Sequence, residues 1–491
     1  MTKWSKKLLV ACSAVVLLLA PAACGPRDTT GPTLLGGAWD DLSVYEAGLV
    51  PGERAALETL PGASIYHIDL TLAADLLSLE GKEQVRYTNR ETVSLNDIYF
   101  QLFPNVNGGS STITDLKVDG KEAEFSQIPG FRDFRVSLPK PLAPGEVVTL
   151  ELVFTVVIPA SPAASSGLFA FYNDILSLDT VYPVIPVYDQ TGWRLNPPPP
   201  YGDKTFLDAS FYRVRVNAPQ DLTLIASGYE VEREVNNGTQ TVTFAAGPSR
   251  DFYLGGSGSF QKLTGTVGGT TVNSYFLSEL NEGAKLSLDV TRDALESFNA
   301  RLGTYPYTEL DILPLALQGG GIGMEYPGVF GISMGIYNLD LVLETTVAHE
   351  TGHQWFYNAV GNDQINQPWI DESLTQYVTG LYFLDVYGDP GWEYSTGDWQ
   401  NRWDRVGAAD IPIGMPAAYY SSLEYGAIVY SRGPLFFVEL AETLGLSFDS
   451  YLRKYYQEHK WEIVTTDGFQ DWFEDISSQN LDALFEEWVL P

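Results

Sequence analysis

At 491 residues, with 45% apolar and 13% aromatic side chains, the chain is too long for one ordinary core and has the material to fill two or three. Its 62 acidic residues against 29 basic ones leave a net charge of −33, which argues against a nucleic-acid ligand and against an electrostatic hold on anionic lipid. The same charge favours cationic ligands, although solubility outside a cell accounts for most of it.

The first residues read as an address. Lys3, Lys6 and Lys7 precede an apolar run over 8–20, too short to span a bilayer comfortably and right for a signal peptide. Pro21-Ala22-Ala23-Cys24 then resembles a bacterial lipoprotein signal, with Cys24 as the lipidated first residue of the mature chain. Pro21 stands where that pattern usually has Leu, and ordinary cleavage after Ala22 or Ala23, giving a secreted protein, is the alternative. Either route implies an extracytoplasmic protein, anchored to the cell membrane in the first case. Cys12 lies in the removed segment, so no intrachain disulfide is expected. Gly, Pro and Thr over 25–37 predict a flexible tether.

The resulting division is a signal over 1–23, a tether and lead-in over 24–59, a β domain over 60–258 and a second domain over 259–491. Alternating apolar and polar residues predict strands over 65–72, 84–88, 147–154, 212–216 and 241–244. Turns are expected at Glu80-Gly81, Asp119-Gly120 and Pro144-Gly145. Together they predict an antiparallel β-sandwich or saddle. His67 falls on one face of a strand. Pro197 to Pro200 form an exposed, rigid loop. Past residue 260 the pattern mixes strands over 271–276 and 310–315 with a helix over 284–302, and helices follow over 434–444, 448–460 and 481–489. The glycines over 319–323 match neither phosphate-binding loop pattern.

The chemistry gathers at His349-Glu350-Thr351-Gly352-His353. Two of the chain's four histidines stand here, four apart on a predicted helix. That puts them one turn, about 6 Å of rise, apart and on one face, the spacing at which one metal ion takes two nitrogens from a single helix. Glu350 lies at the edge of that face, placed to act as a base rather than a ligand. Eighteen residues after His353, Glu372 opens a second predicted helix and is a candidate third ligand. A His2Glu set with one open position is a catalytic zinc arrangement, and other divalent ions can occupy it.

These residues resemble the M1 family of zinc aminopeptidases, of the gluzincin group. The resemblance rests on His349, Glu350, His353 and Glu372 at their spacing and on Gln354-Trp355-Phe356 after the motif. It rests also on Ile322-Gly323-Met324-Glu325-Tyr326, similar to the family's G-x-M-E-N, and on Tyr430-Ser431-Arg432-Gly433, similar to its Y-x-[KR]-G. Leu102-Phe103-Pro104-Asn105 and Arg250-Asp251-Phe252 also look familiar, and coverage runs from about residue 60 to 490. Tyr326 and Ile322 depart from the exopeptidase motif; Asp371 and Ser373 flank the third ligand where Asn and Gly are common.

The resemblance implies an α+β, multidomain architecture, with a thermolysin-like, mainly helical zinc peptidase domain after the β domain. It implies one Zn(2+) per chain on His349, His353 and Glu372, with Glu350 as general base and Tyr430 as donor to the tetrahedral oxyanion. Glu325 would hold the free amino terminus of a peptide substrate, with Met324 and Gly323 lining the first side-chain subsite. The chain ends about 120 residues after Glu372, from which a more open cleft and longer peptides are expected. The alternatives are a zinc peptidase without strict amino-terminal selectivity, and a surface protein that binds peptide or metal without turnover.

Overall fold

The computed structural model describes residues 33–130, 132–445 and 448–491. The signal, Cys24 and most of the expected tether lie outside them. Residues 33–37 do not behave as a tether: the Leu34 amide donates to Gln84 Oε1 at 2.7 Å and Arg213 Nη1 donates to Gly36 O at 3.0 Å, docking this stretch on the β region. The lead-in then straps the two parts of the molecule together. Tyr229 of the β region donates to Val44 O at 2.5 Å, while Val50 N reaches Pro306 O at 2.9 Å and Lys460 pairs with Glu53 at 2.6 Å.

The β region is built on an eight-stranded sheet among the described residues. Its order is Tyr229–Asn236, Thr239–Ser249, Ser210–Pro219, Ile65–Leu72, Ser78–Thr88, Val147–Val157, Ser110–Val118 and Lys121–Glu122. One pairing departs from the antiparallel expectation: Ile65–Leu72 runs parallel to Ser210–Pro219, because the chain returns to it only after a long excursion. A three-stranded sheet, a four-stranded sheet and the two-stranded ribbon of Tyr188–Asp189 and Gly192–Trp193 complete the described part of the region. The inward residues of the strands, Val85, Leu150, Leu152, Phe154, Val214 and Val216 among them, fill a common core with Phe100 and Phe134. Asp119-Gly120 and Gly145 do turn, at positive φ. Glu80-Gly81 does not: Ser78–Thr88 runs straight through it. A Cβ on Gly81 would stand 2.1 Å from the Phe154 ring, so this glycine makes room for a cross-strand aromatic.

The second region begins with a five-stranded mixed sheet, Gln261–Val267, Thr270–Phe276, Glu309–Leu315, Val329–Ser333 and Gly323–Tyr326 in that order. Helix Asn281–Arg301 makes the crossover between the parallel strands Thr270–Phe276 and Glu309–Leu315. It buries Ala284, Leu288, Thr291, Leu295 and Phe298, a stripe at steps of three and four. Helices Asp340–Gly352 and Leu374–Tyr387 pack on it, and the remaining helices close around the fully buried Trp355, Trp369 and Trp399. The architecture is thus β sheets followed by a mainly helical region. No described helix is long and apolar enough to cross a membrane.

Candidate active site

Helix Asp340–Gly352 ends at the motif, so His349 and Glu350 lie in its last turn and His353 caps it. Glu372 does not open an ordinary helix. It sits in a π turn, Trp369–Ser373, that leads into Leu374–Tyr387. Tyr430 sits in a second π turn, Ile428–Arg432. Wide turns of this kind rotate a side chain out of the α-helical register and recur at functional sites. The two turns are locked together: Ser373 Oγ donates to Val429 O at 2.6 Å, and a Cβ on Gly433 would stand 2.0 Å from that same Oγ. This contact explains the glycine of Tyr430-Ser431-Arg432-Gly433. Arg432 is buried and donates to the carbonyls of Ile411, Glu487 and Trp488, tying the turn to the last helix.

Three ligand atoms converge. His349 Nε2 and His353 Nε2 are 3.0 Å apart, and each is 3.2 Å from Glu372 Oε2. Ligand atoms on one face of a tetrahedral zinc are expected about 3.4 Å apart, so the triad needs little adjustment to take the ion. The Nδ1–H of His353 donates to Phe356 O at 3.0 Å, which leaves the Nε2 lone pair for a metal. His349 Nδ1 is buried without a partner. The donor set therefore fits zinc.

Glu350 closes over this triad from the helix edge. A Cβ on Gly323 would stand 2.0 Å from Glu350 Oε1, so this carboxylate is seated on a glycine. Its other oxygen, Oε2, is buried and unpartnered. Glu325 projects from the edge strand Gly323–Tyr326, 4% exposed, with Oε1 likewise unpartnered. Glu325, Glu350 and His353 offer ligand atoms within 4.8 Å of one another. Met324 and Tyr326 alternate to the other face of that strand, away from the carboxylates. Met324 packs at the margin of the helical core, and Tyr326 stacks on Tyr253 at 4.2 Å. The Tyr at 326 is a packing residue between the two regions.

Asp203 has no counterpart in the sequence reading. It lies just beyond the tetraproline, whose Pro199 is buried, and Tyr201-Gly202-Asp203 carries the β region into the site. The OH of Tyr425 would stand 2.6 Å from a Cβ on Gly202, and Tyr201 donates to Tyr420 O. Asp203, Glu325 and Glu372 offer oxygens within 4.8 Å of one another, and Gln364 Nε2 donates to Asp203 Oδ2 at 3.3 Å. The available sequence signal was a rigid Pro run ending in Gly-Asp. It pointed to a loop but to no partner.

The site is short of positive charge. Burial pushes Glu350 and Glu325 up to about 8, with neighbouring carboxylates adding to the rise. Burial, then Glu325 and Glu372, also holds Asp203 far above its usual range. Burial would raise Glu372 too, but its bonds to His349 and His353 hold it well below. Burial would lower His353, yet Glu325, Glu372 and Glu350 outweigh it and keep the ring protonated more readily than usual. His349 is lowered, by burial and by His353. The Tyr430 hydroxyl donates to Glu372 Oε1, and burial with that carboxylate keeps it from ionising. A cavity lined by Glu230, Arg233, Lys262, Tyr275, Glu309 and Asp311 lies elsewhere and includes none of these groups.

Comparison with known proteins agrees with this geometry. Residues 286–488 match the peptidase family M1 domain. Among curated proteins, the chain is 28% identical over 206 residues to mouse aminopeptidase RNPEPL1, covering 38% of this chain and 28% of that one. It is 25% identical over 415 residues to aminopeptidase N of Lactobacillus delbrueckii subsp. lactis, covering 77% and 46%. The chain therefore spans less than half the length of either relative. In fold it resembles an M1 zinc metallopeptidase mutant from Deinococcus radiodurans solved with the substrate Tyr-Ser-Ala. The TM-score is 0.65 at 19% identity, covering 88% of this chain and 96% of that one.

Proposed function

We propose that this chain, whose residues 286–488 are a peptidase family M1 domain, is a zinc-dependent aminopeptidase that removes the first residue of peptides. One observation carries the reading. Two buried carboxylates, Glu325 and Asp203, stand beside a His2Glu triad, and among the described residues no lysine or arginine pairs with either. A dication on the triad and a substrate ammonium on Glu325 and Asp203 supply the missing charge. The aminopeptidase names of the relatives and the tripeptide in the Deinococcus structure support the same substrate class.

His349, His353 and Glu372 would hold the ion. Bound zinc supplies a water that ionises near neutral pH and polarises the scissile carbonyl. The chain's own residues do the rest. Glu350, seated on Gly323 with Oε2 free, takes the water's proton and returns it to the leaving amine nitrogen as the C–N bond breaks. Tyr430, whose hydroxyl donates to Glu372 Oε1 in this structure, would turn to donate to the carbonyl oxygen as negative charge develops there. Glu325 and Asp203 fix the α-ammonium, which sets the distance from the amino terminus to the bond that is cut.

The test pairs aminoacyl-amide fluorogenic substrates with their N-acetylated twins, on protein from residue 25 onward with its metal content measured. The expected result is release from the free amines only, lost on chelation. Equal cleavage of blocked substrates would retain the zinc chemistry and discard the amine anchor.

For location, the lipoprotein-like Cys24 supports a membrane-anchored, extracytoplasmic enzyme. Metabolic labelling with a fatty acid, lost in Cys24→Ala, tests it.

A further inference from the structure

We infer that Arg250 and Asp251, two residues of the β region, are positioning residues for the metal ligand His353, acting through the loop that follows the metal helix. The inference rests on the zinc reading above.

His353 Nδ1 has two described neighbours, the Phe356 carbonyl at 3.0 Å, from the loop that follows it, and the Thr375 hydroxyl at 3.3 Å; the shorter is the carbonyl. That carbonyl belongs to the peptide unit entering Tyr357. The φ of Tyr357 is +124°, a conformation that side-chain-bearing residues rarely adopt. Rotation about this N–Cα bond swings the Phe356–Tyr357 peptide plane, and therefore the direction of the carbonyl. A relaxed φ at Tyr357 would turn the carbonyl away from the imidazole. Something must hold Tyr357 where it is.

Within the loop, the Tyr357 N–H donates to Val360 O at 2.9 Å; the side chains that grip the loop come from the other region of the molecule. Arg250 is 97% buried and its described bonds go to main-chain carbonyls of the second region. Nε donates to Tyr357 O at 3.2 Å and Asn358 O at 3.1 Å, and Nη2 donates to Ala359 O at 3.2 Å and Glu462 O at 2.5 Å. Asp251 accepts from the Tyr357 hydroxyl at 2.7 Å. The loop is thus gripped at the backbone by Arg250 and at the side chain by Asp251. Gly361 is cut to receive the guanidinium: a Cβ there would stand 2.3 Å from Arg250 Cζ. At its far end the loop touches the turn that carries the third ligand, through Asn362 Nδ2 to Asp371 Oδ1 at 3.0 Å. A planar, multidentate donor suits this grip in a way that a lysine ammonium does not.

The test measures zinc affinity by competition with a chromogenic chelator, together with thermal melting of the metal-free protein, on the full chain. Arg250→Met and Gly361→Ala, which evicts the guanidinium without altering Arg250, are expected to weaken zinc binding about 10- to 100-fold, the range for loss of a group that orients a ligand. Arg250→Lys should fall between them and wild type. Tyr357→Phe, which removes only the hydroxyl, should weaken binding about fivefold. This last variant is the mildest and decides the matter if the Arg250 variants fail to fold. Wild-type zinc binding with affinity unchanged within twofold in every folded variant, even with lowered melting temperatures, would overturn the inference, because Arg250 would then serve stability alone. A wild-type chain that takes up no zinc would overturn the metal reading and the inference with it.

Discussion

Gly323→Ala is the smallest change that should disable the chemistry while leaving the metal in place. The added methyl would stand 2.0 Å from Glu350 Oε1, 2.5 Å from its Cδ and 2.9 Å from its Cγ. Ordinary contact begins near 3.4 Å, so the carboxylate must retreat by about 1.4 Å. The strand cannot yield instead, because Gly323 pairs with Ile332 and the Ile322 carbonyl accepts from Ser333 N at 2.9 Å. A misplacement of about 1 Å in a reacting group costs on the order of a hundredfold in rate. We expect kcat to fall by about that factor, with KM and zinc content close to wild type, since neither Glu325 nor the triad is displaced. Gly321→Ala is the control: its Cβ would find only Gln318 O, at 3.8 Å. Steady-state kinetics on an aminoacyl amide, with metal analysis on the same samples, reads both. Wild-type kcat in Gly323→Ala would refute the placement of Glu350 as base against this strand.

Other expectations follow from the same geometry. Glu350→Gln should lower kcat about 10²- to 10⁴-fold while zinc still binds, because Glu350 is not among the three converging ligand atoms; metal analysis beside kinetics checks this. Asp203→Asn should cost about 10- to 100-fold in kcat/KM for free-amine substrates, the worth of a charged hydrogen bond, with zinc affinity little changed. Glu83 makes a prediction about stability. It is buried among the apolar residues of the β core with both oxygens unpartnered, and burial holds its carboxyl well above the usual range. The folded state keeps a proton that the unfolded state releases above about pH 4.5, so this group costs stability as pH rises past that value. Glu83→Met should therefore raise the melting temperature at pH 8 and lose most of that gain near pH 4.5. A variant less stable than wild type at pH 8 would contradict the argument.

The convergence of His349, His353 and Glu372 was legible because helical spacing is local. His349 and His353 share a face by geometry alone, and Glu372 followed within reach. A strand with clean alternation, such as Val147–Val157, was legible for the same reason. What the sequence hid was long-range. Nothing local to Asp203 reports that a proline-stiffened loop delivers it beside Glu325. Nothing near Arg250 reports four carbonyls waiting on the other region. The π turns at Glu372 and Tyr430 carry no composition signal, since they arise from how two segments lock through Ser373 and Gly433. Gly81 misled because glycine usually punctuates strands, and here it leaves room for Phe154.

The central claim is that the buried carboxylates Glu325 and Asp203 make the enzyme count from a free amino terminus. The most direct measurement is mass spectrometry of one unlabelled octapeptide, with and without an acetyl cap, incubated with the zinc-loaded chain. The account predicts products shortened one residue at a time from the amino terminus, and an untouched capped peptide. Internal fragments from both peptides would contradict it.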